Sequence, residues 1–322
     1  MFKEKETFSL EGLIEKLKDK NVKFKLSEIK RCREVLLVNN YLNFSSLKYL
    51  FSTGREKKYI SNKEFKFYYI YKYETDYLTL EKKYTQLLKL ENKLREAVLM
   101  FEIELKTYFT LFLKEFLEKK NINFAILLNN LYEYDNFKKK LIKVDEKFFE
   151  ILEKEWEKQV ESFNIIDMDY SKQYYLLIKV LSFGTIVKFL DFNYNNEEKI
   201  FKLFQGYLRE SNFRLPKLMR DLDTIVILRN SLCHKESLII FLEKGYKKNL
   251  KEQKRAKEKM YKLNRNFLYE RINSIAFIFE YYMLRKNRKV KKLSEKSWIK
   301  RYYSIRLNSI GKNYFKKLKI EI

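Results

Sequence analysis

Apolar positions along this chain recur with a helical period over most of its length. Leu10, Leu13, Ile14 and Leu17 fall at i, i+3, i+4 and i+7, which predicts an amphipathic helix near the start. From Thr79 to Lys119 there is neither glycine nor proline. In that stretch Leu87, Leu88, Leu94, Val98, Phe101, Leu105, Phe109 and Phe112 mark a stripe to be buried, on one or two long helices. A third helix is expected from Asp135, a suitable N-cap, to Val160. Residues 170–191 read as an apolar helix interrupted only by Gly184, where a neighbouring backbone is expected to approach. Pro216 suits the opening of a helix that carries Leu218, Leu222, Ile225 and Leu228. Beyond Gly245 two basic amphipathic helices follow, roughly 248–286 and 295–317. The run FKFYYIYKY alternates enough to pass as a strand. Ser61 and Glu64 fit a capping box just before it, and we read it as helix.

Composition supports an all-α chain. Six glycines and one proline are too few for a sheet-rich fold with many tight turns. Two cysteines exclude a disulfide scaffold. With one histidine and two distant cysteines, no metal site and no cofactor are expected. A hydrophobic content of 46% is ample for a core. The expected organisation is an N-terminal helical segment over residues 1–75, a helical core over 76–242 and a basic helical extension over 243–322. No fixed-period repeat or low-complexity linker separates them.

Charge adds a direction. Lys and Arg number 69 against 43 Asp and Glu, a net charge of +26. An AT-rich genome would raise lysine, but it would raise glutamate alongside and leave no such imbalance. An excess of this size points to a polyanion, either nucleic acid or an anionic membrane. Residues 243–322 hold 25 Lys/Arg and 7 Glu, so +18 of the excess lies in the last 80 positions. No stretch reaches the ~18 uninterrupted apolar residues of a membrane span. The most apolar one, Tyr174 to Leu190, is broken by Lys179 and Lys188. The first residues, MFKEKETFSLEG, contain no apolar signal region, and Cys32 and Cys233 are lone thiols. A cytoplasmic protein that spans no membrane is expected.

One segment carries chemistry. The only histidine lies in LRNSLCHKES, residues 228–237. A histidine can take a proton from a ribose 2′-hydroxyl or give one to a leaving 5′-oxygen. An arginine can hold a phosphate bidentately and stabilise added charge on it. Arg229 and His234 supply this pair, and Asn230 can orient either group. Five helical steps leave Arg229 and His234 about 140° apart on an ideal helix. They converge only if the helix ends or distorts there, or if a second copy contributes. A structural histidine at a helix terminus is the competing reading of the spacing alone. Cys233 adjoins His234 but diverges from it by about 100° on a helix, a poor nucleophile–base arrangement. Neither G-x-S-x-G nor a glycine-rich phosphate loop occurs.

LRNSLCHKES resembles the signature of HEPN-domain ribonucleases. The chain more specifically resembles the bacterial abortive-infection (Abi) phage-resistance family of the AbiD/AbiF type. Four segments carry the likeness in family order over about residues 25–240. These are RCREVLLVNNYLNFSSLKYLF, LLKLENKLREAVLMFEIELKTYF, YYLLIKVLSFGTIVKFL and the RNxxxH block. The resemblance implies a bacterial source, a HEPN-like helical bundle and a metal-independent endoribonuclease, distantly similar to type VI CRISPR effectors. It implies Arg229, Asn230 and His234 as catalytic residues, with Arg95 and Glu104 supporting them. For that last pair, an ion pair organising the bundle is as good a reading as a catalytic one.

One motif per chain and the 140° offset favour a homodimer that brings two motifs together. The expected reaction is 2′-hydroxyl attack on the adjacent phosphate, giving a 2′,3′-cyclic phosphate and a 5′-hydroxyl. The tail is expected to bind RNA through Lys247, Lys248, Lys251, Lys254, Arg255, Lys257, Arg285, Lys286, Arg288, Lys289, Lys291, Lys292, Lys300 and Arg301. Tyr261, Tyr269, Trp298, Tyr302 and Tyr303 are available there to stack on unpaired bases, whereas Phe277, Phe279 and Tyr281 suit a packed core. A structured regulatory RNA is a second expected partner, because a free ribonuclease would harm its own cell. Two rivals remain: an RNA-binding protein whose motif is structural, and a helical module that binds protein or nucleotide.

Overall fold

The Gly- and Pro-free stretch forms one unbroken helix. In the computed structural model α4 runs over Tyr77–Lys120, 44 residues. The structure describes residues 9–39, 41–48, 54–59, 65–135, 138–163, 173–195, 198–238, 241, 271, 273–282, 284 and 285. These residues are mostly helical. The expected helix over 295–317 and most of 248–286 lie outside them. Among the described residues no helix is long and apolar enough to cross a membrane.

The chain divides into two compact units. One comprises Met1–Arg95, Ser231–Leu268 and Tyr282–Ile322; the other comprises Glu96–Asn230 and Tyr269–Tyr281. Helix α4 contributes to both, changing from one to the other at Arg95.

The first unit contains α1 (Leu10–Lys18), α2 (Leu26–Val38) and α3 (Tyr41–Ser46). Ser9 caps α1 by accepting from the Gly12 amide, and Ile14 and Leu17 point into the core as the periodicity requires. Phe44 of α3 packs edge-on against Tyr84 of α4, with ring centroids 5.1 Å apart. Tyr77, also fully buried, stacks on Phe24 at 5.1 Å. Each such pair adds about 1 kcal/mol beyond its buried area. Lys48 is fully enclosed here as well, donating to the Thr75 hydroxyl at 2.8 Å. Burial, followed by the nearby Lys20 charge, pushes its ammonium down to about 8.

FKFYYIYKY departs from the helical expectation. Phe65–Ile70 is a strand, paired antiparallel with Gly54–Tyr59 from Gly54 opposite Ile70 to Tyr59 opposite Phe65. Period-two alternation and aromatic content, both of which favour a pleated surface, prevailed over the capping signal. Ser61 and Glu64 themselves lie outside the described residues.

The second unit is built on phenylalanine. Phe101, Phe109, Phe112, Phe148, Phe183, Phe189, Phe201, Phe204 and Phe213 are all buried. They come from α4, α6 (Glu146–Phe163), α8 (Phe183–Asp191), α9 (Ile200–Tyr207) and the loop after α9; the short α5 (Phe124–Asn129) lies between α4 and α6 in the chain. Burying each side chain contributes roughly 1.5–3 kcal/mol. α10 (Met219–Cys233) adds Leu222, Ile225 and Leu228 to the same core. Phe277 and Tyr281 close over Phe101 at 5.6 and 5.3 Å, the packed role expected of them.

Three local expectations change in this unit. Asp135 ends a strand, Leu131–Asp135, instead of opening a helix; Lys140–Lys143 and Asn193–Tyr194 pair on either side of that strand. The Asp135 carboxylate accepts from the Lys138 amide at 3.1 Å, so an aspartate suited to capping here makes a hairpin turn. Its place is taken by Asp145, which accepts from the Lys147 amide at the start of α6. The apolar stretch 170–191 breaks at Leu181 rather than at Gly184, giving α7 (Tyr174–Val180) and α8. Ser182 caps α8, and Glu155 of α6 accepts from both the Ser182 amide and the Thr185 hydroxyl at 2.8 Å. A Cβ on Gly184 would meet Val226 at 3.7 Å, an ordinary contact, so no backbone approach requires glycine there. Pro216 lies three residues ahead of α10, where its carbonyl accepts from Gln205.

Candidate functional site

The RNxxxH block occupies the end of α10. Leu222, Ile225 and Leu228 anchor one face of this helix, which turns Arg229 partly outward and leaves Asn230 exposed. In the second unit the Arg229 guanidinium donates through Nε to Glu102 Oε2 at 2.8 Å. Its Nη1 donates to Asn230 Oδ1 at 3.3 Å. Glu102 is 5% exposed and also pairs with Lys106 at 3.1 Å. The carboxylate thus holds the arginine by one edge. Among the described residues Glu102 and Asn230 are its hydrogen-bond partners, and the remaining guanidinium donors have the planar arrangement that suits a phosphate.

The carboxylate in this role is Glu102 and not Glu104, which is half-buried further along α4. A signal for Glu102 was present. It shares the buried stripe with Val98, Phe101 and Leu105, where a charge is tolerated only if paired. Glu91 lies on the same face eleven residues earlier and carries the same signal.

His234 is the first residue past α10 and is exposed. The helix stops in a Schellman arrangement: the Glu236 amide donates to the Ser231 carbonyl at 2.8 Å, and the Lys235 amide donates to the Leu232 carbonyl at 3.2 Å. Lys235 takes the left-handed conformation at φ 54°. The helix therefore ends at Cys233, and the imidazole stands on a turn.

In the first unit, side chains from elsewhere hold this turn. Arg95 Nε donates to the Leu232 carbonyl at 2.8 Å, and its Nη1 donates to Asn92 at 2.9 Å. A cation on the last carbonyls of a helix is favoured by the helix dipole. Arg95 thus caps the helix that carries the motif. Glu91 Oε1 accepts from the Leu238 amide at 2.7 Å. Burial pushes the Glu91 carboxyl up to about 7, against the opposing pull of that amide and of Arg95. Asn43 of α3 also bonds to the turn, and the periodicity of the sequence had assigned it no part.

Cys32 is buried, which pushes its thiol up to about 11 and leaves little thiolate. No group of three or more His, Cys, Asp or Glu side chains able to hold a metal is gathered among the described residues. Of the tail cations, Arg285 is helical and half-buried; the others named above, and the tail tyrosines and tryptophan, lie outside the described residues. No family model, no curated protein and no solved structure matches the chain.

Proposed function

We propose that this chain is a metal-independent endoribonuclease of a phage-defence or toxin system, a HEPN-like nuclease acting through Arg229, Asn230 and His234. The observation that carries this reading is the setting of Arg229. Its Nε is bound by a buried carboxylate and its Nη1 by Asn230, so a planar cation is presented with donors to spare. That is the arrangement expected of a group that grips a phosphodiester. The chain's single histidine follows on an exposed turn. In this reading the imidazole moves the proton of the 2′-hydroxyl or of the leaving 5′-oxygen, and Arg229 stabilises the charge that builds on the phosphate. A homodimer would supply two copies of each group. The basic extension would hold substrate or a structured regulatory RNA.

The test compares wild type with His234→Ala on a labelled single-stranded RNA of mixed sequence. Expected products carry a 2′,3′-cyclic phosphate and a 5′-hydroxyl, cleavage persists in EDTA, and a DNA of the same sequence is not cut. Loss of cleavage in EDTA, or cleavage of the DNA, overturns the mechanism. A strict monomer that cleaves RNA overturns the dimer.

The Arg229–Glu102 ion pair also favours a second reading, an RNA-binding protein whose motif arginine organises the bundle. It requires that His234→Ala leave the cellular phenotype unchanged.

A further inference from the structure

Backbone groups on both sides of His234 are gripped by side chains from outside its turn. Asn43 makes two of these bonds: its Nδ2 donates to the Lys235 carbonyl, and its Oδ1 accepts from the Ser237 amide at 3.1 Å. The hydroxyls of Ser46, one turn along α3, and Ser237 lie 3.0 Å apart and both residues are buried. Arg95 on Leu232 and Glu91 on Leu238 complete the grip. Residues 232, 235, 237 and 238 are therefore all held, and His234 lies among them.

Asparagine is suited to this place. Its amide carries a donor and an acceptor in one plane, so it can bridge a carbonyl and an amide two residues apart. The bridge has something to hold in place. Lys235 has φ 54°, a conformation that costs a side-chain-bearing residue about 1 kcal/mol and persists only where the surroundings impose it. Without the bridge the Lys235–Glu236 peptide can relax, and with it the backbone of Lys235, the residue next to His234.

We propose that Asn43 is a positioning residue for His234, fixing the turn from which the imidazole projects by bridging the Lys235 carbonyl and the Ser237 amide. The catalytic consequence rests on the ribonuclease reading; the grip on the imidazole does not. A displacement of about 1 Å costs on the order of 10²-fold in rate. Acting through His234 and not on substrate, Asn43 is expected to affect kcat and leave KM little changed.

The experiment uses the full chain and its one histidine. With a single imidazole, the Cε1–H cross-peak of labelled protein needs no assignment. Wild type, Asn43→Ala and Asn43→Asp are compared with Asn130→Ala, a control whose side-chain amide donates to the Ile126 carbonyl, its one side-chain bond among the described residues. Aspartate keeps the acceptor but not the donor, and provides the reading if the alanine variant does not fold. Spectra are taken well below the melting temperature with helical circular dichroism unchanged.

The expected result is a shifted or broadened cross-peak in the Asn43 variants and not in the control. On the labelled mixed-sequence RNA, kcat is expected to fall by about 10²-fold. An unmoved cross-peak in a folded Asn43 variant overturns the proposal, and a moved cross-peak with unchanged kcat overturns its catalytic consequence. If wild type with a sharp cross-peak cuts no RNA, the ribonuclease reading falls, and the cross-peak alone decides whether Asn43 holds the turn.

Discussion

Arg229 and His234 are five residues apart in sequence, yet they are held in different ways. Arg229 is fixed through its own side chain by an ion pair to a buried carboxylate. His234 is fixed through the main chain around it, while its imidazole stays exposed. The difference matches what each group would have to do. A cation that grips a phosphate works best preset in one orientation, because it need not reorganise as charge develops. A group that exchanges protons keeps access to solvent and substrate, so its placement is secured from behind.

The strongest way to break this comparison is to remove the two groups in turn. His234→Ala should lower RNA cleavage by about 10²–10⁴-fold while binding persists, measured by cleavage and filter binding on the same RNA. Arg229→Ala should lower cleavage as well and also weaken binding. If His234→Ala cuts RNA at the wild-type rate, the proposed chemistry falls.

The next largest effect concerns Glu102. Glu102→Ala breaks the pair and leaves Arg229 and Lys106 without their shared carboxylate. It should destabilise the protein by about 3 kcal/mol in urea titrations, the low end for a broken buried pair, because the Arg229 side chain is still 29% exposed. Glu102→Gln should cost less, since an amide oxygen can still accept from Nε.

Glu91 should give a pH dependence of similar size. Its carboxyl is raised from 4.5 in the unfolded chain to about 7 in the folded one. The folded state therefore binds this proton more tightly. Its contribution is fully present below about pH 4.5 and is lost as the pH rises through about 7. Wild type should lose roughly 3 kcal/mol of stability relative to Glu91→Gln across that window. Parallel pH–stability curves for the two proteins would refute it.

The smallest effect lies away from the motif. Ser182→Ala removes the cap of α8 and should cost about 1 kcal/mol in the same titration, with RNA cleavage unchanged.

Much of the architecture could be read from apolar spacing. The stripe from Leu87 to Phe112 became α4, Leu10 to Leu17 became α1, and Leu222, Ile225 and Leu228 became the buried face of α10. Such positions announce themselves because a helix repeats every 3.6 residues and the core takes up one side of it. The strand at Phe65–Ile70 and the turn at Asp135 were less legible. An aromatic run fits both periods, and an aspartate serves caps and turns alike, so the pairing partner decides. The motif residues could be named in advance, and Arg95 with them, but the partners of Asn43, Glu91 and Glu102 could not. Asn43, Glu91 and Glu102 act at separations of 194, 147 and 127 residues along the chain. No local pattern encodes bonds of that range; they arise when packing brings a polar side chain to a main-chain group or a cation that would otherwise be left unpaired. Local periodicity thus marked most of the helices, and the one histidine and its neighbouring arginine marked the candidate chemistry; tertiary contacts settled what holds those residues in place.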